Sequence, residues 1–308
     1  MNITLLENIH PIAKKILTTT KANIETHKSS LSEAELIDLV AQKNGPTLLG
    51  IRSKTTLSDQ VFKVHKNLEA VGCYCIGTNQ VDLTKAAQVG VAVFNAPYSN
   101  TRSVVELAVG SMITLLRKLG DQSHDLHRGI WNKSAKDCFE LRGKTLGIVG
   151  YGNIGTQLSV VAEALGMRVL FYDITERLQV GNVERAKSLA ELLKKADTVT
   201  IHVDGRPENA HFIGKNEFAQ MKKGAYFLNL SRGHVVDIVA LAQALQKGRL
   251  RGAAVDVYPE EPKGTTKDFV TPLQGMPNVL LYPHIGGSTQ EAQKNIAEFV
   301  SKKMLTYL

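Results

Sequence analysis

A glycine-rich turn near the middle of the chain is the feature that most constrains its fold. The turn, Gly150-Tyr151-Gly152-Asn153-Ile154-Gly155, follows the apolar run 145–149 and precedes apolar residues at helical spacing, as in a strand–turn–helix unit. A second apolar run, 168–172, leads into Asp173, eighteen residues past the last glycine. This β-α-β pattern suits a dinucleotide, whose pyrophosphate would lie at the helix start and whose adenosine ribose would bind the carboxylate.

Each position of the motif has a physical task. Gly150 permits the sharp turn, Gly152 lets backbone N–H groups approach the phosphates, and Gly155 lets the helix pack closely on the strand. Asp173 can accept hydrogen bonds from the ribose hydroxyls and would repel a 2′-phosphate. The first basic residue after it is Arg177. The sequence therefore favours NAD over NADP.

Strand-like and helix-like runs alternate along the rest of the chain, which predicts an α/β fold. From residue 145 onward the pattern is typical of a doubly wound parallel sheet of the Rossmann type. A smaller, flavodoxin-like α/β domain is predicted before it. The further strand-like runs are 48–51, 73–76 and 91–94 in the smaller domain, and 198–203, 226–231, 253–257 and 279–282 in the larger one.

The predicted domains are residues 1–97, for the substrate, 98–287, for NAD, and a C-terminal helix over 288–308. Ser103 and Glu106 have the spacing of a capping box and predict a helix that runs to about Leu119. Ser288 and Glu291 predict a second capping box before the last helix. We expect that helix to return to the smaller domain, which would leave a cleft between the two.

Charge and composition narrow the function classes. The net charge of +8 is spread along the chain, which suits a small anionic substrate better than a nucleic acid. No apolar run approaches the roughly 20 residues that cross a bilayer, and residues 1–10 lack a signal pattern, so we expect no membrane partner and a cytoplasmic protein. The three cysteines predict reduced thiols, with Cys73 and Cys75 on opposite faces of a strand. No metal-ligand spacing is present.

Four polar residues fall at or just after the predicted strands of the larger domain: Arg232, Asp256, Glu261 and His284. Ligands of parallel sheets bind beyond these strand ends. Hydride transfer from a 2-hydroxy acid needs a base for the hydroxyl proton, and a histidine beside a carboxylate suits that task. An arginine can hold the substrate carboxylate through two hydrogen bonds. Taken singly, each residue fits a structural role as well.

These residues also carry a resemblance. The segments 231–233, 256–262 and 283–287 resemble signatures of the D-2-hydroxyacid dehydrogenase family. That resemblance implies Arg232, Glu261 and His284 as the catalytic set. The cofactor contacts that it implies, beyond the glycine turn itself, are Asn153, Ile154, Asp173, Leu230, Ser231, Asp256, Gly286 and Gly287.

The similarity is greatest to the branch of that family, in its bacterial form, that oxidises 3-phospho-D-glycerate, and it runs nearly end to end. It is carried by residues 72–82, 95–104, 127–133 and 284–292. It implies that Arg52, Ser53, Asn100 and Lys133 bind a small phosphorylated substrate. Lys28 and Lys54 are further candidates near the phosphate, with a solvated surface role as the alternative. The family also implies a homodimer or homotetramer, in which 104–119 forms the interface and Lys133 reaches a partner subunit.

Two departures and two rival functions stand beside this interpretation. Asp204-Gly205-Arg206 occupies a place where the family usually has proline, and the family's regulatory domain would follow residue 308. We expect that domain to be absent from this chain, through loss or truncation. A reductase of 2-oxoglutarate or another 2-keto acid is the nearest rival function. An NADH-sensing binding protein is the non-enzymatic one.

Overall fold

The protein is described by a computed structural model that covers residues 1–262 and 266–307. It divides into two compact units, one formed by residues 1–100 and 287–308, of which residue 308 is not described, and one formed by residues 101–286. The sequence predicted divisions after residues 97 and 287. Within the described ranges, no helix is long and apolar enough to cross a membrane.

The first unit is a parallel sheet covered by helices. Within the described residues its strands lie in the order β2-β1-β3-β4-β5, and every neighbouring pair is parallel. This is the flavodoxin-like order. The elements are β1 (Asn2–Leu5), α1 (Ile12–Leu17), β2 (Asn23–Thr26), α2 (Glu33–Ala41), β3 (Leu48–Ile51), α3 (Asp59–Val64), β4 (Ala70–Cys73), α4 (Leu83–Gln88) and β5 (Ala92–Phe94).

The second unit has a larger parallel sheet. Its elements are α5 (Thr101–Arg117), α6 (Leu119–His127), β6 (Thr145–Val149), α7 (Asn153–Ala164), β7 (Arg168–Tyr172), β8 (Glu184–Arg185), α8 (Leu189–Lys195), β9 (Thr198–Ile201), α9 (Lys215–Gln220), β10 (Ala225–Asn229), α10 (Ile238–Gln246), β11 (Leu250–Val255) and β12 (Val279–Leu281). In the described part the strand order is β12-β11-β10-β9-β6-β7-β8, all parallel. The order reverses at β6, which lies between β9 and β7, and a ligand crevice is expected beside such a switch point. The Rossmann-type doubly wound fold is confirmed.

Apolar side chains cover both faces of each sheet. In the second unit, Leu146 and Ile148 of β6 pack with α5 residues such as Met112, while Phe227 of β10 packs on the opposite face with Phe218 of α9. In the first unit the last helix, α11 (Gln290–Tyr307), packs on α1 and β4 through Ile296, Val300 and Met304. Both strand faces being buried explains the continuous apolar runs of the sequence.

Several local predictions were wrong. Helix α5 begins at Thr101, so Ser103 lies inside it rather than at its cap. Helix α11 is capped by Thr289, whose hydroxyl accepts from the Ala292 N–H at 3.1 Å, and not by Ser288. Strand β4 ends at Cys73, three residues before the predicted end, so Cys75 lies outside the strand. Strands β1 and β2 were not predicted.

Candidate active site

The glycine turn after β6 has the shape that a pyrophosphate needs. Gly150 has φ +90°, in the left-handed region that favours glycine, and a Cβ there would lie 2.6 Å from the His202 carbonyl oxygen. A Cβ at Gly155 would lie 2.5 Å from the Gly150 carbonyl oxygen, so the third glycine allows the close approach of helix and turn. The first glycine sets the turn and the third lets α7 start beside it.

The start of α7 is open. Gly152 is its N-cap, with no side-chain cap, and a Cβ there would meet nothing within 4 Å. The helix then begins with Asn153 and Ile154. The first N–H groups of a helix have no partners within it, and the helix dipole favours an anion there. The open start of α7 is therefore suited to a dinucleotide pyrophosphate.

Asp173 follows β7 and is 8% exposed. Its Oδ2 accepts the Tyr151 N–H at 2.8 Å, and its Oδ1 accepts the N–H and the hydroxyl of Thr175, both at 2.9 Å. Arg177 Nε lies 3.3 Å from Oδ2. Burial favours a raised pKa for Asp173, but the hydrogen bonds from Thr175 and Tyr151, with the Arg177 charge, hold the pKa below its ordinary value. A bound ribose would thus share this carboxylate with Thr175 and Arg177, which the sequence did not predict.

The segment after β10 is fixed by its own side chains. Asn229 Oδ1 accepts the Ser231 N–H at 3.2 Å and the Ser231 hydroxyl at 3.0 Å, and the Asn229 amide donates to the Arg232 carbonyl at 3.2 Å. Leu230 and Ser231 are buried, whereas Arg232 is half-buried. The Asn229 side chain therefore fixes the main chain at Ser231 and Arg232.

Gly233 lets this segment meet the one that carries Glu261. A Cβ at position 233 would collide with the main-chain carbonyl of Tyr258 and the nitrogen of Pro259. The contact therefore requires a residue without a side chain. It brings the Arg232 segment against residues 258–261.

His284 and Glu261 form the central pair of the site. His284 Nδ1 lies 2.6 Å from Glu261 Oε2, and Glu261 Oε1 accepts the Tyr258 N–H at 3.0 Å. Both carboxylate oxygens are thus engaged. Because Nδ1 faces the carboxylate, Nε2 is the ring nitrogen that can exchange a proton with a substrate.

The charges of this cluster act on one another. The hydrogen bond to Glu261 raises the pKa of His284; burial lowers that pKa, the charges of Glu261 and Asp256 raise it further, and Arg232 lowers it, with a net rise. Burial raises the pKa of Glu261, but hydrogen bonds from His284 and Tyr258 and the charges of His284 and Arg232 leave it below the usual value. The pair therefore favours an imidazolium beside a carboxylate.

Asp256 fixes the main chain that follows His284. It follows β11 directly rather than lying within the strand, and it is 2% exposed. Its Oδ1 accepts the Ile285 N–H and its Oδ2 the Gly286 N–H, both at 2.7 Å. His284 itself has φ 55°, an uncommon backbone conformation for a non-glycine residue. The carboxylate thus fixes the loop that presents the imidazole, a role that the sequence did not reveal for this predicted cofactor residue.

The predicted substrate residues of the first unit lie on a loop that Glu7 holds. Glu7 is 6% exposed and accepts the N–H groups of Arg52 at 3.1 Å, Lys54 at 3.0 Å and Thr55 at 2.9 Å. The Gln80 amide donates to the Arg52 carbonyl at 2.6 Å. Sequence reasoning missed Glu7 and Gln80, because each acts on residues far along the chain.

The other two predicted substrate residues, Asn100 and Lys133, differ in their surroundings. Asn100 packs beside Gly287, where a Cβ would collide with the Asn100 side-chain amide. Lys133 is exposed and follows α6, two residues after Trp131, which is 79% exposed. Its contact with substrate stays a prediction. No grouping of His, Cys, Asp and Glu that could hold a metal occurs in residues 1–262 and 266–307.

Comparison with known proteins decides the family. The sequence model described as "D-isomer specific 2-hydroxyacid dehydrogenase, NAD binding domain" matches residues 109–286. D-3-phosphoglycerate dehydrogenase 2 of Saccharomyces cerevisiae is 49% identical over 100% of this chain and 67% of its own length. The chain belongs to the D-isomer specific 2-hydroxyacid dehydrogenase family. Like other members it is an NAD-dependent dehydrogenase.

Further relatives agree with this assignment. D-3-phosphoglycerate dehydrogenase of Escherichia coli K12 is 47% identical over 98% of this chain and 73% of its own length. Among solved structures, D-lactate dehydrogenase from Aquifex aeolicus, complexed with NAD and lactic acid, aligns with TM-score 0.84 and 25% identity over 99% of this chain and 95% of that one. D-lactate dehydrogenase with NAD⁺ from Lactobacillus jensenii aligns with TM-score 0.83 and 26% identity over 100% and 96%. The predicted family, fold and cofactor are confirmed.

Proposed function

We propose that this dehydrogenase oxidises 3-phospho-D-glycerate to 3-phosphohydroxypyruvate with NAD, the entry reaction of L-serine synthesis. The observation that carries the chemistry is the 2.6 Å contact between His284 Nδ1 and Glu261 Oε2, next to the Arg232 segment. The choice of substrate is supported by relatives that are named D-3-phosphoglycerate dehydrogenase and are 47–49% identical over nearly the whole chain. The same site would also suit other 2-hydroxy acids, so the test compares them directly.

In the proposed mechanism Arg232 binds the substrate carboxylate and fixes the reacting carbon. His284 Nε2 takes the proton of the 2-hydroxyl group, and Glu261 stabilises the imidazolium that forms. When bound, NAD would supply the acceptor for the hydride of the same carbon. In the reverse direction the protonated His284 returns its proton to the carbonyl oxygen. Asp256 keeps the imidazole in position through the Ile285 and Gly286 N–H groups.

The cofactor contacts follow the elements of the second unit. The pyrophosphate would bind the N–H groups at the start of α7, and the adenosine ribose would bind Asp173. The nicotinamide side would meet the segments that follow β10, β11 and β12. The proposed contact residues are Gly150, Gly152, Asn153, Ile154, Gly155, Asp173, Leu230, Ser231, Asp256, Gly286 and Gly287.

The substrate phosphate calls for cationic and polar partners. We propose Arg52, Ser53 and Asn100 for this task. Glu7 holds the loop that carries the first two. Lys133 is proposed to act in a neighbouring copy of the chain. Exposed apolar side chains at Leu126, Ile130 and Trp131 support assembly into a homodimer or homotetramer, since such patches mark interaction sites.

The decisive assay is NADH formation from 3-phospho-D-glycerate, compared with D-lactate and D-2-hydroxyglutarate at equal concentrations. The proposal expects the phosphorylated acid to give the highest kcat/KM. His284→Ala should lower kcat by about 10²–10⁴-fold with little change in NAD affinity. The control is His124→Ala, which removes an exposed imidazole of the same unit. Unchanged turnover in His284→Ala would refute the acid–base role, and preference for D-2-hydroxyglutarate would refute the substrate.

A further inference from the structure

The segment Asp204-Gly205-Arg206 lies against the arginine that we assign to the substrate carboxylate. It follows β9, at the same edge of the sheet as the segment after β10. A Cβ added at Gly205 would lie 3.0 Å from Arg232 Cγ and 3.3 Å from His234 Cε1. The loop that departs from the family pattern therefore contacts the stem of Arg232.

The carboxylate of Asp204 is engaged by donors from its own loop. Arg206 donates through Nε to Oδ1 at 2.7 Å and through Nη2 to Oδ2. Asn209 Nδ2 donates to Oδ1 at 3.0 Å and to the Asp204 carbonyl at 2.9 Å. This bidentate pair with Arg206, together with the Asn209 amide, fixes the Asp204 carboxylate, although Asp204 and Arg206 are exposed.

The charges of Arg232 and Asp204 interact, although the two side chains form no direct ion pair. Hydrogen bonding from Arg206 is the main cause that lowers the pKa of Asp204, and the charge of Arg232 adds to it. Arg232 Nη1 instead donates to the Ser231 carbonyl at 2.8 Å. In the part of the chain that the structure describes, Arg232 forms no ion pair with a carboxylate. The Asp204 carboxylate is thus close enough for the charge of Arg232 to act on it, but it is hydrogen-bonded to Arg206.

We propose that Arg206 sequesters Asp204 and thereby keeps Arg232 available for the carboxylate of the substrate, an inference that rests on the proposed role of Arg232. Without Arg206, the Asp204 carboxylate, on which the charge of Arg232 already acts, loses its two guanidinium hydrogen bonds and can turn to Arg232. Substrate would then have to displace it. Arg206 is a positioning residue in this scheme and touches no reacting atom.

The test is a double-mutant cycle measured by steady-state kinetics on the best hydroxy-acid substrate. Arg206→Gln should raise the KM for the acid about fivefold, the upper range for an exposed ion pair, with kcat and NAD affinity unchanged. Adding Asp204→Asn should restore the wild-type KM. Asp204→Asn alone should leave KM within about twofold. Lys195→Gln, which breaks the surface pair with Glu191 in the same unit, is the matched control and should change nothing.

The single Asp204→Asn variant separates sequestration from a simple loss of positive field. If Arg206 only attracted the anion, removing the Asp204 charge would lower KM as much as Arg206→Gln raises it. That result, or an unrestored KM in the double variant, would overturn the proposal. Arg232→Gln tests the underlying assignment: an unchanged KM there would refute the proposed role of Arg232. A raised KM in Arg232→Gln with none in Arg206→Gln would refute sequestration alone.

Discussion

Each of the two units fixes a loop of predicted site residues with one buried carboxylate, but the surroundings of these two carboxylates differ. Glu7 accepts three N–H groups of the 52–55 loop in the first unit. Asp256 accepts two N–H groups of the loop after His284 in the second. Buried carboxylates that accept several backbone N–H groups form strong, charge-assisted bonds, so both loops are held rigidly.

The difference lies in the charges that each carboxylate meets. Burial raises the pKa of Asp256, the Ile285 and Gly286 N–H groups and the His284 charge lower it, and Glu261 raises it. Asp256 also helps to raise the pKa of His284. Glu7 contacts main-chain groups of a loop, and the residues that it positions are proposed to bind rather than to react. In the proposed function, the same arrangement of a buried carboxylate and main-chain N–H groups would position a reacting group in one unit and substrate-binding groups in the other.

Among the variants that test this comparison, the largest effect is expected at Asp256. In Asp256→Ala the loop that presents His284 loses both acceptors, and an imidazole displaced by about 1 Å costs on the order of 10²-fold in kcat/KM. Steady-state assays with saturating NAD would measure this loss. The control is Asp237→Ala, which also removes an acceptor of two N–H groups, at Val239 and Ala240, but at the start of α10. An equal loss of activity in both variants would contradict the special role of Asp256.

A smaller, different effect is expected at Glu7. Glu7→Ala leaves three N–H groups without their acceptor and should lower the free energy of unfolding by about 2–3 kcal/mol, measured by denaturant titration. The KM for the acid should rise about tenfold while kcat changes little, because the loop is proposed to bind the substrate and not to take part in the reaction. Glu35→Ala, which removes an exposed capping residue of the same unit, should cost about 1 kcal/mol and leave KM unchanged.

Glu7→Gln sharpens this test. The remaining amide oxygen can still accept the Arg52 and Thr55 N–H groups, both of which bond to Oε1, whereas the Lys54 N–H loses its partner. The effects should therefore be smaller than those of alanine. Equal effects would mean that the negative charge matters more than the hydrogen bonds. A fall in kcat rather than a rise in KM would abolish the distinction between the two units.

The smallest effect concerns pH. Oxidation needs the neutral imidazole, so kcat/KM rises as pH passes through the pKa of His284, which lies above the usual histidine value. Glu261→Gln removes the largest cause of that rise, so the acid limb of the profile should move to lower pH. A pH–rate profile of both proteins measures this shift. An acid limb that stays in place in Glu261→Gln would mean that Glu261 does not control the pKa of this histidine.

The sequence predicted the elements that local pattern determines. The glycine turn, Asp173 and the ends of the later strands were located because buried parallel strands are continuous apolar runs with polar residues at their ends. Local pattern misled where it was ambiguous. Ala70 and Gly72 have low strand propensity, which shifted the predicted β4 toward Cys75, and the polar edge strand β2 carries little apolar signal.

The supporting roles of Glu7 and Asp256 could not be predicted from the sequence, for a different reason. Glu7 acts on residues 45–48 positions away, and Asp256 acts 29–30 positions away. Such contacts have no spacing that a single sequence can display. The pairing of Arg177 with Asp173 was missed as well, although the two residues are only four apart, because the segment lacks a regular period.

The close contact at Gly233 has a consequence for reading mutational maps of this enzyme. Any substituent at that position must push the Arg232 segment away from the main chain at Tyr258. A saturation scan scored by growth or turnover would then rank residue 233 beside the proton-transferring groups, although it bears no functional atom. Intolerance at that residue would report the distance between two segments, and a second-site change that relaxes the 258–261 segment should suppress it.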